Sequence, residues 1–138
     1  MTDRRILDIG AGFEPYPGAT DAVDRWGAKS TYHIRKKMKH PFPETLRYRF
    51  SIDMNKQLPY PDATFVKVVS RHSLCTFGTQ NAFNEAYRVL KPGGSIMIQT
   101  GIDLNRVKRL IQKLTKAGFN DPSYHGDDST FYTVIAKK

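Results

Sequence analysis

Apolar positions along the chain fall into alternating strand-like and helix-like groups. In "RRILDIG", Ile6, Leu7 and Ile9 make a short apolar run closed by Gly10, as a buried strand would. "TDAVDRW" (20–26) predicts a second strand, weakened by its acids. "LRYRFSID" (46–53) alternates apolar and basic residues and predicts a third, ending at Asp53. "FVKVVSRH" (65–72) is a β-branched fourth strand, and "SIMIQT" (95–100) a fifth. Between those two, Ala82, Phe83, Ala86, Tyr87 and Leu90 form a helical stripe that Pro92-Gly93-Gly94 closes. Leu104, Val107, Leu110, Ile111 and Leu114 share one face of a later helix, with Asp103 as its cap and Gly118 as its stop. "STYHIRKKMKH" (30–40) predicts two further helical turns, with Ser30 as cap and "PFPET" as breaker. "FYTVIAKK" (131–138) predicts a last strand, paired with a weakly marked one before Gly126.

Strands separated by helices or long crossovers imply an α/β fold, a doubly wound and mostly parallel sheet. The 138 residues fit one domain, 1–138, with no repeat, low-complexity segment or dividing linker. Ligands of such sheets bind beyond the carboxyl ends of the strands, beside the first one. The first three strands bring Asp8, Asp24 and Asp53 to or near that edge, and Gly10 and Gly12 give a bare turn that a ligand can approach. An acid after the second strand can accept hydrogen bonds from two ribose hydroxyls at once. A dinucleotide would also need a helix N-terminus under its pyrophosphate. Here Pro15 stands where the third glycine of G-x-G-x-x-G would fall, Pro17 follows, and Asp24 comes only 14 positions after Gly10. The first helix is therefore expected to be shortened or missing. That disfavours NAD and favours a nucleoside without phosphates.

Charge adds one expectation. Lysine and arginine exceed aspartate and glutamate by 22 to 13, a net +9, and eight basic residues between Arg25 and Arg49 face the single acid Glu44. Such a segment attracts polyanions, RNA or DNA among them, although a solvated face would look the same. Trp26, Tyr32, Phe42 and Tyr48 are interleaved with these cations, as suits bases and phosphates. Cys75 is the only cysteine, so no internal disulfide or cysteine-based zinc site forms, and the histidines lack metal-ligand spacing. No apolar run approaches the roughly 18–20 residues of a membrane span, and strand-like sequence begins without a signal-peptide core. No membrane association and a cytoplasmic location are the expectations.

The ordered motifs carry a family resemblance. "ILDIGAG" resembles the first motif of the class I SAM-dependent methyltransferases, particularly the small single-domain type, and Asp24 falls where their ribose acid ends the second strand. "SIDMNKQLPYPDATFVKVVSRHSL" is similar to their acid-hydrophobe pair, L-P-[FY]-x-[DN] loop and fourth strand, and "NEAYRVLKPGGSIMI" to their R-V-L-K-P-G-G segment. The likeness covers about residues 5 to 100 and implies S-adenosyl-L-methionine (SAM) as cofactor and S-adenosyl-L-homocysteine as product. It implies Gly10 and Gly12 beneath the methionine and ribose, Asp8 near the amino group, and Asp24 on the ribose. It also implies Asp53 at the adenine amino group, Met54 on the ring, and Arg71 and His72 bordering methionine and substrate.

A methyltransferase must mainly align a nucleophile with the methyl–sulfur bond. A protonated oxygen or nitrogen nucleophile also needs a base, for which His72 is the candidate. Cys75 lacks the Pro-Cys context of cytosine-C5 enzymes, and "SRHSL" replaces the [DNS]-P-P-[YFW] motif of amino-methylating DNA enzymes. Arg106, Arg109, Lys113 and Lys116 form a second basic row, with the spacing of any solvated helix face. Three readings follow: a methyltransferase on an unidentified acceptor, with nucleic acid slightly favoured; a SAM-binding subunit that needs a partner; and a basic nucleic-acid-binding module without cofactor.

Overall fold

The first strand forms where the sequence is most continuously apolar. In the computed structural model, which describes residues 4–12, 14–25, 45–71, 73–101, 103–126 and 131–138, β1 is Ile6–Ile9. Leu7, Asp8 and Ile9 are all buried on it, as expected of a strand covered on both faces. β2 (Asp21–Val23) and β4 (Phe65–Arg71) flank it in parallel, and β3 (Arg47–Arg49) lies outside β2. β5 (Leu90–Thr100) runs parallel to β4, while β7 (Tyr132–Lys137) returns antiparallel and carries β6 (Asn120–Gly126) at the edge. The order β3-β2-β1-β4-β5-β7-β6 makes a seven-stranded, mostly parallel sheet.

The predicted doubly wound sheet, the Asp103 cap and the pairing of the last two strands all stand. α1 (Ser73–Phe77) follows β4, and α2 (Gln80–Val89) buries Phe83, Ala86 and Val89. α3 (Leu104–Ala117) buries Val107, Leu110 and Leu114. Its Asp103 side chain accepts from the Asn105 amide, and it ends where the Gly118 amide closes on the Leu114 and Thr115 carbonyls. These faces meet Leu7, Ile9, Val68, Ile96 and Ile98 of the sheet in one apolar core.

Several boundaries differ from the pattern. β2 and β3 are three residues each, shorter than predicted. Past Val23 the Asp24 side chain turns back to cap a loop, and Ser51 takes φ 60, which a continuing strand does not allow. "KPGG" is no simple turn: β5 begins at Leu90, and residues 91–94 are accommodated in a register shift against β4. α1 is not foreseen by the apolar pattern because only Leu74 of its five residues is buried. The helical turns predicted over 30–40 lie outside the described residues. Among the described residues no helix is long and apolar enough to cross a membrane.

From β1 to β2 the chain crosses over in Gly10–Thr20 with no helix among its described residues, as Pro15 and Pro17 lead one to expect. The crossover is closed at both ends by backbone bonds: Gly10 donates to the Val23 carbonyl (2.9 Å) and Thr20 to that of Ile6 (2.9 Å).

Candidate active site

The turns after β1, β2 and β3 converge with α1 on a cleft of about 290 Å³ at the carboxyl edge of the sheet. Gly10, Gly12, Asp24, Asp53 and Met54 all line it, joined by Ile52, Asn55 and Ser73. Gly10 has φ 70, and a Cβ there would stand 2.1 Å from Ser73 Oγ, so only glycine fits between β1 and α1. Ser73 is fixed in turn, its hydroxyl donating to the Ile9 carbonyl (2.8 Å) beside the Ser70 hydroxyl (2.8 Å). Gly12 meets the opposite situation. Among the described residues nothing lies within 4 Å of where its Cβ would stand, so the backbone there is open to a ligand.

Asp24 caps the turn with both oxygens. Oδ2 accepts from the Gly12 amide (2.9 Å) and Oδ1 from the Arg25 amide (2.7 Å), leaving each oxygen a further lone pair. Tyr48 donates to the Gly12 carbonyl (3.0 Å) and stacks on Phe50. Burial, with Asp24 and Asp8 nearby, pushes the Tyr48 phenol far above its ordinary value, so it stays a neutral donor. On the other wall, Asp53 Oδ1 accepts from the Asn55 amide (2.9 Å). Asn55 then ties this turn to α1 and α2, donating to the Phe77 carbonyl and accepting from the Thr79 amide. Phe77 lines the cleft with its ring 55% exposed, and the Arg25 guanidinium sits 5.1 Å from its centroid.

Asp8 and Arg71, expected beside the ligand, are not among the lining residues. Both hold the crossover that replaces the first helix. Asp8 is buried, and its Oδ2 accepts from the Tyr16 amide (2.7 Å), while Oδ1 has no partner among the described residues. Burial raises its pKa to about 6 against the opposing effects of the Tyr16 amide and Arg71. The Arg71 guanidinium donates to the Glu14 carbonyl, and Lys67 reaches the Tyr16 hydroxyl (3.3 Å). His72 lies outside the described residues, as does most of the basic segment. Of its described cations, Arg47 is bound to Asp21 and Arg49 lies against the Tyr60 ring.

The sequence does not single out Arg25, Ile52, Asn55, Ser73 or Phe77 as lining residues. Their neighbours carry the recognisable motifs, but the lining side chains of α1 follow from its position, which the apolar pattern does not mark. Among the described residues no group of three histidine, cysteine, aspartate or glutamate side chains could hold a metal.

The cleft suits a nucleoside: an open glycine backbone, a carboxylate with two free acceptor positions, and a second wall that offers an acid, a thioether and an aromatic ring. Comparison with known proteins agrees. Residues 7–98 match the family model described as Methyltransferase domain, and the chain belongs to that family. It is a SAM-dependent methyltransferase of class I, Rossmann-like fold, and its cofactor is S-adenosylmethionine. No curated protein matches it by sequence. Among solved structures it is similar to a SAM-dependent methyltransferase of Thermotoga maritima, with 17% identity and TM-score 0.72 over 100% of this chain and 84% of that one. It is also similar to one of Aquifex aeolicus, with 14% identity and TM-score 0.74 over 97% and 81%. Human N-acetylserotonin methyltransferase in complex with SAM gives 17% identity and TM-score 0.73 over 96% of this chain and 47% of that one.

Proposed function

We propose that the chain transfers the methyl group of SAM to a nucleic-acid acceptor, with Asp24 as the residue on which cofactor binding turns. Asp24 grips the two ribose hydroxyls with the lone pairs its amide partners leave free. Gly10 and Gly12 pass beneath the methionine and ribose, Asp53 accepts from the adenine amino group, and Met54 and Phe77 offer apolar surface to the ring. Asp8 and Arg71 act one step back, by holding the 14–16 loop.

The bound cofactor supplies a methyl group already activated on a sulfonium. The chain's own work is then to orient: rigid turns fix the cofactor, and the acceptor must be aimed along the methyl–sulfur bond, which is worth up to about 7–11 kcal/mol in favourable cases. The base for a protonated acceptor is assigned to His72, which follows Arg71 in the sequence.

The single observation that carries this reading is the Asp24 carboxylate, pinned by Gly12 and Arg25 on the cleft wall. The nucleic-acid preference is supported by the net charge of +9. Calorimetric titration with SAM and S-adenosylhomocysteine, followed by transfer of labelled methyl to RNA, DNA, protein and small-molecule pools, tests it. Binding without transfer to RNA or DNA would remove the nucleic-acid part and leave the cofactor site standing.

A further inference from the structure

A second cavity lies on the far side of α1. It measures about 240 Å³ and is lined by Cys75, Thr76, Arg106, Arg109, Leu110 and Lys113. Three of these are cations and none is an acid. Arg106, Arg109 and Lys113 follow one another at helical spacing on α3, and Leu110, buried between them, makes the floor.

These cations differ from the fold's other structurally engaged arginines. Arg5 and Arg47 share the Asp21 carboxylate, and Arg88 grips Glu85 and Asp62. Lys113 is anchored by the Gly78 carbonyl (3.1 Å) and the face of Phe83 (5.6 Å), leaving donors to spare. Arg106 and Arg109 have no carboxylate or carbonyl partner among the described residues. The nearest acid in sequence, Asp103, spends Oδ1 on the Asn105 amide. Like charges three residues apart on a helix repel. Three of them lining one groove is an arrangement that a bound anion relieves.

The groove also has a fixed relation to the cofactor cleft. Ser73 and Phe77, four residues apart, line the cleft, whereas Cys75 and Thr76 of the same helix line the groove. α1 thus contributes residues to both. An acceptor whose reacting atom enters the cleft from this side would extend over α1 into the groove.

We propose that the groove between α1 and α3 is a phosphate subsite for the methyl acceptor, taking the phosphodiester that flanks the modified nucleotide. Arg106 and Arg109 supply the paired donors that match phosphate oxygens, Lys113 a fixed charge, and Thr76 a hydroxyl. The assignment rests on the nucleic-acid reading above.

The test is binding of a short labelled single-stranded RNA of mixed sequence, by fluorescence anisotropy, with S-adenosylhomocysteine present. Arg106→Gln/Arg109→Gln is expected to weaken binding about tenfold, the scale of losing a hydrogen bond to a charged group. The slope of log affinity against log salt should also fall by about 0.7 for each phosphate that the variant no longer neutralises. Lys108→Gln/Lys116→Gln removes the same charge from exposed positions of α3 outside the groove. Equal weakening in both pairs would overturn the proposal, because it would show bulk charge alone; so would no weakening in the first. If adenosine 5′-monophosphate or inorganic phosphate binds in an Arg109-dependent way while RNA does not bind, the subsite takes phosphate from a small acceptor, and the phosphodiester assignment falls. Calorimetry with S-adenosylhomocysteine on the same variants should show wild-type affinity, and the single Arg109→Gln serves if the double variant folds poorly. Failure of the cofactor site would appear there, in the wild type, separately from any result at the groove.

Discussion

The Gly12 amide donates to Oδ2 of Asp24 at 2.9 Å, so the glycine turn after β1 and the acid after β2 are one unit. The carboxylate shapes the loop and keeps lone pairs for a ligand. Removing it should therefore cost more than a hydroxyl contact. Asp24→Ala is expected to weaken SAM binding by at least about 1.5–3 kcal/mol, the scale of hydrogen bonds to a charged group. Asp24→Asn, which keeps one acceptor oxygen for the Gly12 amide, should lose less. Calorimetry on both variants, with melting curves as a folding control, checks the order. Equal affinity in wild type and Asp24→Ala would remove the ribose role.

Gly10→Ala should be worse than a generic turn substitution. The new Cβ would stand 2.1 Å from Ser73 Oγ and 2.3 Å from Ser73 Cβ, at φ 70. Either β1 and α1 separate, which opens the cleft, or the chain loses stability; a cost of about 1–3 kcal/mol is expected from strain and overpacking. Ser73→Gly in the same chain removes both clashing atoms but leaves the torsion. It should restore part of the melting temperature and not all of it. Full restoration would show that the torsion costs nothing.

How much of this is legible in the residues depends on what each element is made of. β1, β4, α2 and α3 are marked by their apolar periodicity, and Asp103 and Gly118 bound α3 where they stand in the sequence. That no helix forms among the described residues between β1 and β2 can be read from Pro15 and Pro17, because a proline removes the very amide a helix N-terminus would offer. What cannot be read is how the chain manages without it: the Asp8–Tyr16 and Arg71–Glu14 contacts join residues 8 and 57 positions apart and leave no periodic trace. The motifs thus mark Asp8 and Arg71 as site residues, and in the structure they bond to the Tyr16 amide and the Glu14 carbonyl and do not line the cleft. Phe77 reaches the cleft from α1 and Arg25 from the turn after β2, and the two meet there at 5.1 Å, a tertiary fact. Likewise the basic row on α3 has the spacing of a solvated face. Only the position of α1 turns three of its members into a groove.

The buried Asp8 makes stability depend on pH in an unusual direction. Its pKa is about 6 in the folded protein against 3.8 when exposed, so between those values the native state holds more protons than the unfolded one. Stability should fall as pH rises from about 4 to about 6, and the loss is complete above that. The size is set by about two pKa units, on the order of 3 kcal/mol. Asp8→Asn keeps an acceptor for the Tyr16 amide and cannot ionise. Relative to wild type it should gain melting temperature between about pH 4 and pH 6 and hold that gain above. A constant difference between the two across that range would show that Asp8 titrates normally.

Asp21 should give the opposite slope at lower pH. It is buried at the start of β2, where burial alone would raise its pKa. Hydrogen bonds from Arg5 (2.8 Å), Arg47 (3.0 Å) and Thr20 (2.8 Å) outweigh that and hold it near 2. A carboxylate depressed in this way contributes stability that is fully present above about 4 and is lost as pH falls toward 2. The pairing joins residues of three separate segments, so its loss loosens the edge that carries β2 and β3. Asp21→Asn should cost roughly 2 kcal/mol at neutral pH, since one buried partner of two arginines is discharged while both can still turn toward water. The cost should shrink below pH 3, where the unfolded chain has taken up a proton at Asp21 that the folded wild type still resists. Denaturant unfolding at pH 7 and pH 2.5 measures both points. A variant penalty that stays the same at both would mean that the arginines hold β2 through packing, with the charge of Asp21 contributing nothing.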